Sequence, residues 1–262
     1  MNSLLREIYS TGLVYDEAGQ PSRAFPAAIK YRLGMTLYEL ILATHAEKSL
    51  EVGMAFGLST LFMCQAHHDK ASGMHTAIDP TEETAWKSIG LLNVDRAALS
   101  PFLDFRGASS HEVLPQLLRS GQRFDVIFID GMHLFDYAMV DFFYADLLLK
   151  EHGYLVFDDI WMPSIRKVLY FALRNRTYTS SPQHLWNRKS FWRRARELLR
   201  DLRQDSSLRQ RTKRMLGYFL RDPLDIYSFR SAMYFSGQGG LDCWILQKNS
   251  EDGRGWHDYR AF

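Results

Sequence analysis

The sequence predicts an α/β protein whose core is a doubly wound, mostly parallel sheet of seven strands. Short apolar runs alternate with segments of helical period between residues 48 and 175, and such alternation requires crossovers between parallel strands. The run at 124–131 is apolar enough for a strand that is buried on both faces. Two further strand candidates within 231–249 flank a Gly-rich turn, which indicates a hairpin that adds an antiparallel edge to the sheet.

The strands and helices of the core follow one another in regular order. The strand candidates are the segments 49–53, 74–79, 102–107, 124–131 and 154–159. The helix candidates are the segments 59–71, 82–99, 110–121, 136–153 and 163–175. We expect the second of these helices to break near Gly90 and Asn93, and the fourth to end at Gly153.

The core is flanked by additions at both ends of the chain. The predicted division is a helical N-terminal cap over 1–47, a cofactor-binding α/β core over 48–175, a basic helical insertion over 176–225, and a closing hairpin with its tail over 226–262. These boundaries follow from the end of the strand–helix alternation near residue 175 and from the change in charge after it.

The basic insertion contains a strongly cationic stretch. Residues 186–221 include 12 Lys and Arg and 3 Asp and Glu, a net of +9 (12 − 3), and their apolar residues recur at helical spacing. A charge run usually forms a solvated face, so a lid or a contact in a homodimer is preferred here. Nucleic acid, an anionic membrane surface or a phosphate-bearing substrate are the alternative partners, although no nucleic-acid motif accompanies the stretch.

Composition narrows the class of protein. The 262 residues carry a net charge of +2, which gives no strong preference for anionic partners. The two cysteines, Cys64 and Cys243, are too few for a disulfide framework. The N-terminus lacks a signal-peptide core, and no uncharged apolar stretch reaches the roughly 18 residues of a membrane span. We therefore expect a cytoplasmic protein without a transmembrane segment.

A glycine loop follows the first core strand. Gly53 and Gly57 lie between the acid Glu51 and the helix that opens near Ser59, at the carboxyl end of a parallel strand where such sheets bind ligands. The spacing is neither the dinucleotide fingerprint nor a P-loop, so an ordinary βα turn and a ligand-binding loop both fit. Asp79, at the end of the second strand, is placed either to accept hydrogen bonds from a ribose or to start a helix.

Acidic residues also end the fourth and fifth strands. Asp130 follows one strand and Asp158 and Asp159 follow the other, so the carboxylates would meet in one cleft because neighbouring strands lie about 4.8 Å apart. A divalent cation such as Mg²⁺ would relieve their repulsion, whereas helix capping is the structural alternative. His133, three residues after Asp130, could deprotonate a hydroxyl as a neutral imidazole or could simply hydrogen-bond to the acids of strand five.

Taken together, the ordered motifs resemble a known family. They are E-x-G-x-x-x-G-x-S-T at 51–60, I-D-P at 78–80, the stretch at 106–117, and I-D-G-x-H-x-x-x-Y at 129–137 with the apolar strand that follows. This set resembles the class I S-adenosylmethionine-dependent methyltransferases, and more narrowly the small-molecule O-methyltransferases of the catechol and caffeoyl-CoA type that carry I-D-G-x-H. The resemblance covers about residues 33–175.

The resemblance implies a cofactor and roles for individual residues. S-adenosylmethionine would be held by Glu51, Gly53, Gly57, Ser59, Asp79, Ala108, Ser109 and Asp130. His133 and Asp130 would be catalytic, and Asp130, Asp158 and Asp159 would bind a metal such as Mg²⁺. The best-known branch of metal-dependent relatives has an acid and an amide where this chain has Asp158 and Asp159, and other branches have two acids there, so the metal stays open.

The implied reaction is methylation of a hydroxyl on a small molecule, such as a sugar or a specialised metabolite. Two alternatives remain at this point. One is methylation of RNA or another anionic polymer gripped by residues 186–221, and the other is a catalytically inactive scaffold that binds the cofactor.

Overall fold

A computed structural model describes residues 2–180, 243–255 and 257–260. The predicted basic helices of 186–221 and the first strand of the predicted C-terminal hairpin lie outside these residues. Among the helices that the structure describes, none has the length and apolar character needed to cross a bilayer.

The described chain forms seven α-helices and nine strands. The helices are α1 Ser3–Thr11, α2 Tyr31–Ala43, α3 Leu58–Asp69, α4 Ile89–Arg96, α5 Ser110–Arg119, α6 Phe135–Leu148 and α7 Pro163–Asn175, with a 3-10 turn at Ser100–Phe102. The strands are β1 Leu13–Tyr15, β2 Pro21–Arg23, β3 Lys48–Val52, β4 Met74–Ile78, β5 Leu103–Arg106, β6 Phe124–Ile129, β7 Leu149–Phe157, β8 Tyr178–Ser180 and β9 Trp244–Lys248.

Seven of these strands form the central sheet, in the order β5-β4-β3-β6-β7-β9-β8. Strands β3 to β7 run parallel to one another, and β9 is antiparallel to both β7 and β8. The strand order reverses between β3 and β6, which is the point where open α/β sheets bind their ligands. The predicted doubly wound, mostly parallel seven-stranded sheet is confirmed.

The sheet is buried between two apolar layers. Successive residues of β6 alternate between them: Val126 and Phe128 pack into one core and Ile127 and Ile129 into the other. The first core is covered by α1 to α4 and the second by α5 to α7. This two-sided burial explains why the strand reads as a continuous apolar run in the sequence.

The helix ends differ from the sequence prediction at two glycines. Helix α6 ends at Leu148 and not at Gly153, which lies within β7. A Cβ on Gly153 would come within 2.9 Å of the Asp125 carbonyl oxygen, so this glycine allows close strand packing. Gly90 does not break its helix either, because the irregular turn precedes α4 and ends at Ser88, which has a φ of 55°.

Three strands lie where the sequence predicted helix or irregular structure. The hairpin β1–β2 lies inside the segment predicted as a helical cap, and its three-residue strands are too short to show a period of two. The edge strand β8 pairs with β9 and comes from the predicted start of the basic insertion. The antiparallel edge of the sheet is therefore present, with β8 as the partner of β9 among the described residues.

Candidate functional site

A cleft of about 640 Å³ opens at the carboxyl edge of the sheet, beyond β3, β4, β6 and β7. Its opposite wall comes from residues 26–30 and Leu33, which precede and begin α2. The volume is within the usual range for sites that enclose a small molecule. Of the residues singled out from the sequence, the cleft is lined by Gly53, Ser59, Asp79, Ser109, Asp130, His133, Asp158 and Asp159, whereas Glu51, Gly57 and Ala108 do not line it.

The glycine loop turns sharply as it leaves β3. Gly53 has a φ of +93°, and a Cβ there would lie 2.1 Å from the carbonyl oxygen of Asp130. Gly57, at the N-cap of α3, has a φ of +74° and lies against the backbone of Gly90. Only glycine combines this backbone conformation with this proximity, so the loop brings bare backbone to the cleft.

Asp79 fastens the same loop from the end of β4. One carboxylate oxygen accepts hydrogen bonds from the backbone N–H groups of Met54 (3.1 Å) and Ala55 (2.9 Å). The other accepts from the N–H and the hydroxyl of Thr81, at 2.8 and 2.9 Å. Asp79 lies at the predicted place, but its observed bonds are to the protein, so it shapes the loop as well as lining the cleft.

Glu51 lies behind the cleft wall and is fully buried. One of its carboxylate oxygens accepts a short hydrogen bond from the Thr60 hydroxyl and lies 3.2 Å from His75 Nε2, off the line of a hydrogen bond. The other oxygen has no partner among the described residues. Glu51 therefore links β3 to α3 and lies beside β4, and it is not on the cleft surface. The sequence-based expectation was that Glu51 contacts the cofactor directly.

Three residues form a polar cluster at the other end of the cleft. The Nε2 atom of His133 lies 2.9 Å from Asp159 Oδ2 and 3.5 Å from Asp130 Oδ1. Ligand atoms of these three residues all lie within 4.8 Å of one another. Asp158 lines the same cleft but does not belong to this group. Of the three predicted metal ligands, Asp130 and Asp159 therefore lie together, and the third member of the cluster is His133 and not Asp158.

The cluster changes the charge state expected for its members. Hydrogen bonds to Asp130 and Asp159 raise the pKa of His133 to about 10, so its imidazole is a cation at neutral pH and not the neutral base of the sequence interpretation. Burial raises the pKa of Asp130 to about 6. Burial alone would also raise the pKa of Asp159, but hydrogen bonds from His133 and Trp161 lower it.

Several cleft residues could not be found from a motif. Residues 26–30 enter from the N-terminal cap, and Lys30 contributes a positive charge that helps lower the pKa of Asp159. His111 lines the cleft with its ring 6.3 Å from that of Tyr137 in an edge-to-face arrangement. Tyr137 ends the motif at 129–137, but the motif does not predict this contact with His111. The sequence pattern carries no signal for these contacts, because they depend on how separate elements meet.

The comparison with known proteins agrees with this geometry. Residues 50–160 match the family described as a methyltransferase domain. The match spans less than half of the chain, and over this stretch the chain is similar to that family. The motifs from Glu51 to His133 that carry the predicted resemblance lie within the matched stretch.

A curated relative of this chain has a similar name. A catechol O-methyltransferase of Niastella koreensis is 30% identical over 116 residues, which make up 44% of this chain and 49% of the relative. The matched region thus spans about half the length of that curated relative.

Solved structures of O-methyltransferases share the fold. One from Bacillus cereus in complex with SAH has a TM-score of 0.57 and 19% identity, and the match covers 69% of this chain and 83% of that one. TomG from Streptomyces achromogenes, in complex with SAM, has a TM-score of 0.52 and 20% identity over 69% of this chain and 88% of its own.

Proposed function

We propose that this protein is an S-adenosylmethionine-dependent O-methyltransferase that acts on a hydroxyl of a small molecule. The observation that carries the proposal is the convergence, in one cleft, of the glycine loop, Asp79 and the Asp130–His133–Asp159 cluster, within a stretch similar to the methyltransferase domain family. The names of the relatives support the same reaction class.

The cleft suits this cofactor in shape and charge. The glycine loop offers backbone without side chains at Gly53, where a Cβ would strike Asp130. S-adenosylmethionine carries a positively charged sulfur and an ammonium group, and Asp130 offers a carboxylate beside the loop. Gly53, Gly57 and Ser59 are assigned to its methionine end, with Glu51 as their support from behind.

The nucleoside is assigned to the opposite half of the cleft. Asp79 and the loop it holds would meet the ribose, and Ser109, next to Ala108, would lie beside the adenine. This assignment follows the sheet order, because β4 and β5 lie on one side of β3 and the strands that carry the polar cluster lie on the other.

The bound cofactor supplies a methyl group that is already activated by its positively charged sulfur. The protein then has to orient the acceptor hydroxyl and remove its proton. Asp130 is the suited base, because its pKa of about 6 is the closest of the cluster to neutral pH. His133, as a cation bound to Asp130 and Asp159, orients both carboxylates and stabilises the negative charge that develops on the acceptor oxygen.

The cluster also fits a divalent cation. Asp130 and Asp159 offer oxygen, and His133 offers nitrogen once it has lost its proton. Mg²⁺ prefers oxygen ligands, whereas Mn²⁺ and Zn²⁺ accept this mixed set more readily. A bound cation would lower the pKa of a coordinated hydroxyl and would hold the acceptor in place.

A methyl-transfer assay tests the proposal. The protein is incubated with S-adenosylmethionine labelled in its methyl group and with panels of phenols, sugars and other hydroxyl compounds. We expect label in at least one hydroxyl compound, and transfer to nitrogen or carbon compounds alone would contradict the O-methyltransferase assignment. The assay is repeated after exhaustive chelation and after return of Mg²⁺, Mn²⁺ or Zn²⁺, and full activity without metal would leave the cluster with the proton-transfer role alone.

A further inference from the structure

A tryptophan on the segment between β4 and α4 has no role in the chemistry described so far. Trp86 lines the cleft and is half-buried. Its ring centroid lies 4.9 Å from that of Phe56 in an edge-to-face arrangement, and Phe56 belongs to the glycine loop. Among the described residues that line the cleft, Trp86 is the one tryptophan. Its indole therefore has an aromatic neighbour within the protein and also offers apolar surface to a ligand in the cleft.

Hydrogen bonds on both sides of Trp86 hold this segment in place. The backbone N–H of Trp86 donates to the Thr81 carbonyl at 3.2 Å. Glu82 is 1% exposed, and its backbone carbonyl accepts from the N–H of Ser88 at 2.7 Å. The Oε1 atom of Glu82 accepts from the backbone N–H of Leu91, within α4, at 3.1 Å. The segment is therefore tied at its start and to α4, and Trp86 lies between the two ties.

Directly after Trp86 the backbone turns through an unfavourable conformation. Lys87 and Ser88 have φ values of 54° and 55°, in the left-handed region that residues with a side chain rarely adopt. Such conformations persist where surrounding contacts hold them, and they are frequent at ligand-binding sites. The hydrogen bonds to Glu82 supply these contacts, so the position of Trp86 is fixed by the fold.

Asp79 lies on the same side of the cleft, and its bonds show that a nucleoside there needs a further contact. A carboxylate offers about four acceptor positions. The bonds from the backbone of Met54 and Ala55 and from the N–H and hydroxyl of Thr81 use as many. Thr81 bonds to Asp79 through its N–H and to Trp86 through its carbonyl. Trp86 is therefore placed beside Asp79, where a ribose is assigned.

We propose that Trp86 is a cofactor-binding residue whose indole packs against the nucleoside end of S-adenosylmethionine. The inference rests on the function proposed above. Bases and sugars that pack on an aromatic ring gain affinity from the contact. Trp86 thus supplies an apolar contact in the half of the cleft where Asp79 and the loop it holds supply polar groups. This places a determinant of cofactor affinity outside the motifs at 51–60 and 78–80.

Two ligands and two substitutions test the role of Trp86. Adenosine is the nucleoside alone, whereas S-adenosylhomocysteine adds the amino-acid end. Trp86→Leu removes the flat ring, and Trp86→Phe keeps one. We expect Trp86→Leu to raise the Kd of both ligands by about tenfold, and Trp86→Phe to keep both within about threefold of the wild type. Titration calorimetry measures S-adenosylhomocysteine directly and adenosine by competition with it.

Trp161 provides a matched control at the other end of the cleft. Its side chain is 52% exposed and does not line the cleft, and its Nε1–H donates to Asp159 Oδ1 at 2.7 Å. We expect Trp161→Leu to leave the Kd of both ligands within about twofold of the wild type. An equal rise in Trp161→Leu and Trp86→Leu would show a general effect and would contradict the proposal.

Fluorescence covers the case in which Trp86→Leu does not fold. The chain contains six tryptophans, and Trp86→Phe removes one of them. We expect S-adenosylhomocysteine to change the tryptophan emission of the wild type, because a bound ligand alters the surroundings of the indole, and most of this change to be absent in Trp86→Phe. An emission that does not respond in the wild type, or that responds equally in the variant, would contradict the proposal.

The outcomes separate this inference from the proposed function. If the wild type fails to bind S-adenosylhomocysteine, the proposed function is wrong and the role of Trp86 falls with it. If the wild type binds and Trp86→Leu keeps both Kd values, the role of Trp86 is wrong and the function stands. A loss for S-adenosylhomocysteine alone, or a failure of adenosine to compete in the wild type, also contradicts a contact with the nucleoside.

Discussion

At the scale of single residues, the acids at the strand ends have more than one task. Asp79 holds the glycine loop through four hydrogen bonds and also lines the cleft. Asp130 lines the cleft and lies within reach of His133, while its backbone carbonyl is the atom that excludes a side chain at Gly53. Function and local structure are therefore coupled at these positions.

Replacement of Asp79 should affect binding and stability together. Asp79→Ala leaves the N–H groups of Met54 and Ala55 without their acceptor, so the loop loses its shape. We expect the affinity for S-adenosylhomocysteine to fall at least about tenfold and the free energy of unfolding to fall by about 1–3 kcal/mol. Calorimetry and denaturant unfolding measure the two effects, and an unchanged affinity would remove Asp79 from the binding site.

Replacement of His133 should act on turnover. His133→Ala removes the cation between Asp130 and Asp159, and we expect kcat to fall about 10²-fold or more while cofactor affinity changes by less than about threefold. Steady-state kinetics and calorimetry measure the two quantities. His68→Ala, at a side chain that is 54% exposed and does not line the cleft, is the control. Equal turnover in His133→Ala and wild type would make His133 structural.

The sequence identified the residues that line the cleft better than the residues that lie behind it. Asp130 and His133 follow an apolar strand within a short motif, so both their position and their chemistry could be predicted. The hydrogen bond from the Thr60 hydroxyl to the Glu51 carboxylate and the burial of Asp141 could not be predicted in this way. They depend on which side chains meet between a strand and a helix, and local periodicity does not record that.

At the scale of elements, the glycine loop and α4 support each other. Asn93 of α4 donates a hydrogen bond to the Phe56 carbonyl at 3.0 Å, and Gly57 lies against the backbone of Gly90. Helix α4 therefore packs against the glycine loop on the side that faces away from the cleft. The sequence predicted this helix, together with a break near Gly90. In the structure Gly90 lies within α4 and allows its backbone to approach that of Gly57.

A pair of glycine substitutions tests that contact. Gly57 and Gly121 have φ values of 74° and 71°, but a Cβ on Gly57 would lie 3.0 Å from Gly90, whereas one on Gly121 would meet nothing within 4 Å. Each change to Ala should cost about 1–2 kcal/mol of stability for the left-handed backbone, and Gly57→Ala should cost more. In calorimetry, only Gly57→Ala should weaken S-adenosylhomocysteine binding. Equal binding by both variants would mean that the α4 contact does not shape the loop.

A buried network between β3, α3 and β4 should make stability depend on pH. Ser49 Oγ lies 2.8 Å from His67 Nε2 and 2.9 Å from His75 Nδ1. Burial, followed by the nearby His75, lowers the pKa of His67 to about 4 from an unfolded value of 6.5. Between pH 4 and 6.5, His67 binds a proton in the unfolded chain but stays neutral in the folded protein. The stability of the folded state relative to the unfolded chain therefore falls as the pH is lowered from 6.5 to about 4, and it does not change through His67 above pH 6.5.

Denaturant unfolding of wild type and His67→Gln at several pH values isolates this effect. Glu82 works in the opposite direction, because burial raises its pKa to about 7, and comparison with the variant cancels its contribution. We expect the difference in unfolding free energy between wild type and variant to shrink by about 1–3 kcal/mol as the pH falls from 6.5 to 4. A constant difference would show that His67 does not titrate in this range.

At the scale of the whole molecule, the parallel strands of the sheet could be predicted, and the short strands β1, β2 and β8 could not. The strands β3 to β7 are apolar runs that alternate with helices, and this pattern alone indicates parallel order. Strand β8 and the hairpin β1–β2 are only three residues per strand and depend on their partners for stability. The predicted homodimer and polymer contacts both involve residues 186–221, outside the described part of the chain, and they stay predictions.

Titration calorimetry of the full chain with S-adenosylhomocysteine is the measurement that tests the central claim most directly. One carboxyl edge of the sheet gathers the glycine loop, Asp79 and Asp130 in a single cleft, and we expect one molecule to bind there with micromolar affinity, which is on the order of −8 kcal/mol. The absence of binding at millimolar ligand, or binding that is unchanged in both Asp79→Ala and Gly57→Ala, would contradict it.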